Sequence, residues 1–174
     1  SDLREIVDVD DHAALFRTGD RVSVLPDVYP DDPVQIQYTS GTTGFPKGAV
    51  LAHRSLTNNA RFYAKRALAT PESTWANFMP MFHTSGCAMI SLGCLQFGCK
   101  MVLFKLFDPA AILRIIESER ITGFLGVPTM LVALLESLSV EPADVSSVEM
   151  VVSGGAMVAP ELVRNIQHAF SCQF

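Results

Sequence analysis

After Leu51 the chain alternates short apolar runs with helical stretches, and no other feature narrows its fold as far. The spacing predicts strands over 75–82, 100–104, 121–127 and 148–152, with helices over 86–97, 109–120, 129–138 and 160–170. Successive strand–helix–strand units build a mainly parallel sheet with helices on both faces, because a parallel partner is reached only through a crossover. The fold class is therefore α/β. Runs that are apolar throughout, such as Ile121 to Val127, suit a sheet covered on both sides. Asp108-Pro109 reads as an N-cap followed by proline at the first helical position. The segment 87–97 is apolar on all sides, which predicts a buried helix that Gly98 stops. Before the first of these strands, a helix over 56–68 places Leu56, Ala60, Tyr63 and Ala67 on one face and Arg61, Lys65 and Arg66 elsewhere.

Ahead of the alternation stands Tyr38-Thr39-Ser40-Gly41-Thr42-Thr43-Gly44-Phe45-Pro46-Lys47-Gly48. Val34 to Gln37 precedes it and Ala49 to Leu51 follows, both readable as strands, so the stretch is the loop of a hairpin. Glycines let the backbone close on a ligand, and turned N–H groups make a concave nest for anions. The hydroxyls add donors and Lys47 adds a compact positive charge, so a polyphosphate is the natural ligand. The spacing is not that of a Walker A loop: the lysine follows Gly44 by three residues, and Gly48 stands where a hydroxyl belongs.

Composition excludes several classes. The net charge of −5 argues against general nucleic-acid binding. No apolar run approaches the ~20 residues of a membrane span, and the start Ser1 to Glu5 is polar, unlike a signal peptide. Cys87, Cys94, Cys99 and Cys172 form no CxxC pair and have no histidines at zinc-ligand spacing. Free thiols, three in apolar surroundings, fit a reducing cytoplasm. There is no GxGxxG run, so dinucleotide binding has no support. The first 33 residues carry little signal: a possible strand over 3–9, a short helix over 12–16, and a proline-rich linker over 28–33.

The loop YTSGTTGFPKG closely resembles the phosphate-binding signature of the acyl-adenylate-forming, AMP-binding enzymes. Two later segments extend the resemblance from about Pro33 onward. Pro80-Met81-Phe82-His83 followed by Gly86 is similar to the family's next motif, and Ser153-Gly154-Gly155-Ala156 is similar to its adenine-contacting segment. A histidine or a Gly-Gly turn at a strand's carboxyl end is already well placed, since ligands bind there in open sheets. The resemblance implies that Thr39, Ser40, Gly41, Thr42, Thr43, Gly44 and Lys47 hold ATP phosphates. It implies that Gly154, Gly155 and Ala156 flank the adenine, and that Lys47, Thr43 and His83 serve the reaction. His83, Val127 and Met130 would meet the acid, and Thr43 would meet Mg2+. For Val127 and Met130, plain core packing is the stronger reading of the residues.

The family pattern also implies activities and absences. The parent would be an AMP-forming acyl-CoA synthetase, activating a fatty or other apolar acid as acyl-AMP and passing it to CoA. ATP, a carboxylic acid and CoA would be its small-molecule ligands. The family's magnesium-binding acid, ribose-binding aspartate and small C-terminal domain with its second lysine have no counterpart here. Residues 34–174 are thus expected to be an internal part of the large adenylation domain. Such a piece is expected not to turn over alone, and its open sheet edge would favour self-association. Alternatives are an aryl-acid or peptide-synthetase adenylation domain, or a nucleotide-binding module without catalysis. The lack of an acid between His83 and Asp108 leans away from amino-acid substrates.

Overall fold

A computed structural model of the chain describes residues 26–39 and 44–174. The expected elements before residue 26, and Ser40, Gly41, Thr42 and Thr43, lie outside the described residues. The hairpin forms as expected. Strand β1 (Pro33–Thr39) pairs antiparallel with β2 (Lys47–Ala52), Thr39 opposite Lys47. Helix α1 (His53–Arg66) follows at once and starts three residues before the expected Leu56. Its first amides need partners outside the helix. His53 N–H donates to the Asp32 carbonyl at 3.1 Å and Arg54 N–H to that of Pro30 at 2.7 Å. Arg54 also grips Asp31 through two bonds, 2.8 and 3.1 Å, which hold that carboxyl below its usual range. His53 is therefore at a structural junction.

The alternating segment gives strands β3 (Thr74–Asn77), β4 (Lys100–Leu103), β5 (Gly123–Gly126) and β6 (Met150–Ser153). They form one parallel sheet in the order β4-β3-β5-β6. Between β3 and β4 lie a π-helical segment (Ser85–Leu92) and the short helix α2 (Gly93–Phe97). Helices α3 (Pro109–Glu119), α4 (Pro128–Val140) and α5 (Pro160–Phe170) fill the other crossovers. Asp108 caps α3, its carboxylate accepting from Ala111 N–H at 3.1 Å, with Pro109 at the first helical position. Beyond β6, Gln173 continues the sheet: Val151 N–H donates to its carbonyl at 2.9 Å, and its own N–H donates to Glu149 at 2.8 Å.

Alternate side chains divide the core between the two faces. Ala76, Phe124 and Val151 face α3, α4 and α5 and pack with Ile112, Leu131 and Ile166. Trp75 and Leu125 face the other way, toward Ala64, Ile90 and Cys94 of α1, the π-helical segment and α2. Phe124 sits between Phe78 and Phe170, ring centroids 5.8 and 5.6 Å away. Alanines on α1 let the opposite element come close: a Cβ on Gly93 would lie 3.2 Å from that of Ala64.

Two expectations need correction. The segment 75–82 is not all strand, because β3 stops at Asn77. The fully buried Asn77 side chain turns into the following loop, donating to the Gly86 carbonyl at 3.1 Å and accepting from Met79 N–H at 3.3 Å. Pro80, lacking an N–H, could not carry the ladder further. Nor is 87–97 one buried helix: a π-helical segment passes into α2, and Leu95 is 76% exposed. An all-apolar run has no period from which its outward side chains could be read.

Candidate functional site

Parallel strands deliver their connections to one edge of the sheet. Asn77 pairs with Leu103 and Gly126 with Ser153, so the turns carrying His83, Val127 and Gly154 all leave from the carboxyl ends. Ser153 Oγ donates to the Gly126 carbonyl at 2.9 Å and ties two of these ends together. Gly155 adopts φ +81, a left-handed conformation that favours glycine. A Cβ built on it would lie 3.5 Å from the Val127 side chain. Val127 and the Gly154-Gly155-Ala156 turn are thus neighbours. Met130 packs on the same cluster as Val127 and, with Phe78, Met81, Phe82, Leu106 and Phe107, also lines a cleft of about 590 Å³.

The His83 turn is built by buried polar bonds. Gly86 sits where any side chain would strike backbone, its virtual Cβ 2.5 Å from the Pro80 carbonyl oxygen and 2.8 Å from that of Met79. Its own carbonyl accepts from Ser91 Oγ at 2.7 Å and Asn77 Nδ2 at 3.1 Å. Ser85 then orients the histidine. Its N–H lies 3.1 Å from His83 Nδ1 and its Oγ 2.8 Å from the same nitrogen. An amide can only donate, so Nδ1 is the acceptor and Nε2 carries the proton of the neutral ring. His83 is exposed, so this Nε2–H is open to a ligand.

The hairpin is latched to that turn. Gln37 Nε2 donates to the Phe82 carbonyl at 2.8 Å, and Gln35 Nε2 reaches Cys87 Sγ at 3.7 Å. Thr39 and Lys47 close the described ends of the hairpin loop, with Thr39 Oγ1 3.5 Å from the Lys47 carbonyl. Lys47 is exposed, and Gly44 turns at φ +83. Thus the structure joins Thr39, Gly44 and Lys47 to the His83 turn through Gln37. Sequence reasoning missed Gln37, whose only local signal was a polar residue alternating along a strand. We expect Gln37→Ala to remove one neutral hydrogen bond, worth ~1 kcal/mol. In the full-length protein that should raise the KM for ATP several-fold with little change in Tm. An unchanged KM would mean the latch does not position the loop.

Among the described residues no group of three or more His, Cys, Asp or Glu could hold a metal ion. Thr43 lies outside them. No helix among the described residues is long and apolar enough to cross a membrane.

Residues 3–174 match the protein family described as AMP-binding enzyme. The chain belongs to that family. Among AMP-binding enzymes, it is 39% identical over 133 residues to the feruloyl-CoA synthase of an Amycolatopsis species, covering 76% of this chain and 27% of that one. It is 36% identical over 154 residues to the indoleacetate–CoA ligase of Aromatoleum aromaticum, covering 88% of this chain and 30% of that one. Among solved structures, ATP-bound MatB from Rhodopseudomonas palustris superposes with a TM-score of 0.74 at 31% identity, over 82% of this chain and 28% of that one. The chain therefore spans under a third of each of these AMP-binding proteins.

Proposed function

We propose that the chain is part of an ATP-dependent acid–thiol ligase. An ionised carboxylate attacks the α-phosphorus of ATP, the bond to the β-phosphate oxygen breaks, and pyrophosphate leaves. A thiol, that of CoA, then attacks the acyl-adenylate carbonyl, expels AMP and gives up its proton as the thioester forms. The observation that carries this reading is the latch that brings the hairpin's Lys47 end against the His83 turn, at the carboxyl edge of a parallel sheet. Such chemistry is positioning and charge stabilisation more than proton transfer.

Each part has one task in this reading. Lys47 and the Ser40–Thr43 hydroxyls hold the phosphates, Mg2+ accompanies the nucleotide, and the Gly154-Gly155-Ala156 backbone flanks the adenine. His83 offers its Nε2–H to a substrate oxygen and takes no proton, since an ionised carboxylate has none to give. Val127 borders the acyl end, and the apolar cleft at Met130 suits a fatty or other apolar acid. Free cysteines fit a reducing, cytoplasmic setting.

ATP–pyrophosphate exchange on the full-length protein tests this directly, with acetate, octanoate, palmitate, benzoate and several amino acids offered in turn. Exchange that depends on an apolar acid is the expected result. A folded protein that binds ATP but exchanges with no acid would overturn the ligase reading in favour of a nucleotide-binding module.

A further inference from the structure

Helix α2 ends with Gly98 at φ +70, and the amide of Cys99 donates back to the Cys94 carbonyl at 2.9 Å. This is the Schellman cap, whose geometry puts the side chains on either side of the turn in contact. Apolar residues usually make that contact; here both are cysteines. With this hydrogen bond closed, standard bond lengths keep the two Cα atoms within about 6.8 Å, inside the range a disulfide spans. Cys94 is buried and Cys99 half-buried, so a small oxidant reaches Cys99 first.

Exposure and burial set the order of reaction. The Cys99 thiol donates to the Thr70 carbonyl at 3.3 Å. Burial pushes the Cys94 thiol up to about 12, with the adjacent Cys99 adding to the effect. Burial also raises Cys99 above its ordinary value, a rise that the bond from Cys94 and a backbone bond offset only in part. Cys99 is thus the more readily ionised sulfur of the pair. Neither thiol takes part in the ligase chemistry.

We propose that Cys94 and Cys99 are a thiol-oxidation site, a dithiol that hydroperoxides close to an intrachain disulfide. Cys99 gives up its proton, its thiolate attacks the terminal oxygen of the hydroperoxide and the O–O bond breaks; a sulfenic acid forms, and the other oxygen leaves with that proton as water from hydrogen peroxide or as an alcohol from an alkyl hydroperoxide. The Cys94 sulfur then attacks the Cys99 sulfur, and the hydroxyl leaves with the Cys94 proton as water. Two electrons pass from the dithiol to one peroxide. The bridge joins the second residue of α2 to the residue just before β4, while the cap already holds both in place.

The full-length protein is treated with hydrogen peroxide, its remaining thiols are alkylated in denaturant, and the tryptic peptide 67–100 is sequenced by tandem mass spectrometry. That peptide holds Cys87, Cys94 and Cys99 together. The expected product has Cys94 and Cys99 protected, Cys87 alkylated, and two hydrogens missing; dithiothreitol restores both thiols. Cys94→Ser should instead leave Cys99 to advance to sulfinic acid. Should that variant misfold, phenylarsine oxide on the unaltered protein gives an independent reading: one arsenic should shield both sulfurs at once. Oxidation of Cys99 with Cys94 still alkylatable, a bridge to Cys87 or Cys172, or no protection before the protein unfolds would each overturn the proposal.

Discussion

Gly86→Ala is expected to destabilise the full-length protein by about 1–3 kcal/mol and to lower its adenylation rate. The added methyl would sit 2.5 Å from the Pro80 carbonyl oxygen and 2.9 Å from its carbon, and these are backbone atoms with no rotamer to escape into. Relief must come from shifting the loop. That loop is held by the Gly86 carbonyl's bonds to Asn77 and Ser91, so the shift weakens a buried polar cluster as well. His83 lies three residues away, oriented by Ser85 next door, and moves with it. Thermal unfolding and ATP–pyrophosphate exchange on the same preparation separate the two effects. The exchange rate should fall even at a temperature where the variant is fully folded. A variant with the parental Tm and rate would show that the loop yields freely and that its geometry does not matter to the reaction.

Lys47→Ala should cost the reaction rather than the fold. Lys47 is exposed at the first position of β2, so its removal leaves no cavity and no unpaired buried group. A hydrogen bond to a charged phosphate is worth roughly 1.5–3 kcal/mol, which is about a 10- to 100-fold loss in kcat/KM for ATP. Lys47→Arg keeps the charge but spreads it over a planar fork, so partial recovery is expected. Tm should stay at the parental value in both. Unchanged kinetics for Lys47→Ala would remove this lysine from the phosphate site, while the fold assignment would stand.

Much of the molecule was legible before any tertiary contact was known, wherever the cause lies within a few residues. Asp108-Pro109 starts α3 because a carboxylate can reach its own first turn and proline has no amide to waste. Gly98 ends α2 because its φ is left-handed. The βα alternation required crossovers, and crossovers required a parallel sheet with helices on its faces. The hairpin of β1 and β2 was legible from the two short apolar runs that flank its loop.

Tertiary structure decided everything that depends on a partner far along the chain. β3 stops at Asn77 because a side chain prefers Gly86 and Ser91, nine and fourteen residues on, and no local propensity encodes that choice. Leu95 faces solvent although its run is apolar throughout, since hydrophobicity without a period cannot say which side meets the core. The proton on His83 Nε2 follows from where the Ser85 amide points. Gln37 became part of the site only when its strand was laid 2.8 Å from Phe82, forty-five residues later. Local chemistry set the elements, because caps and turns act over one or two turns of chain. Long-range packing set the site, because its contacts exist only after the sheet has assembled.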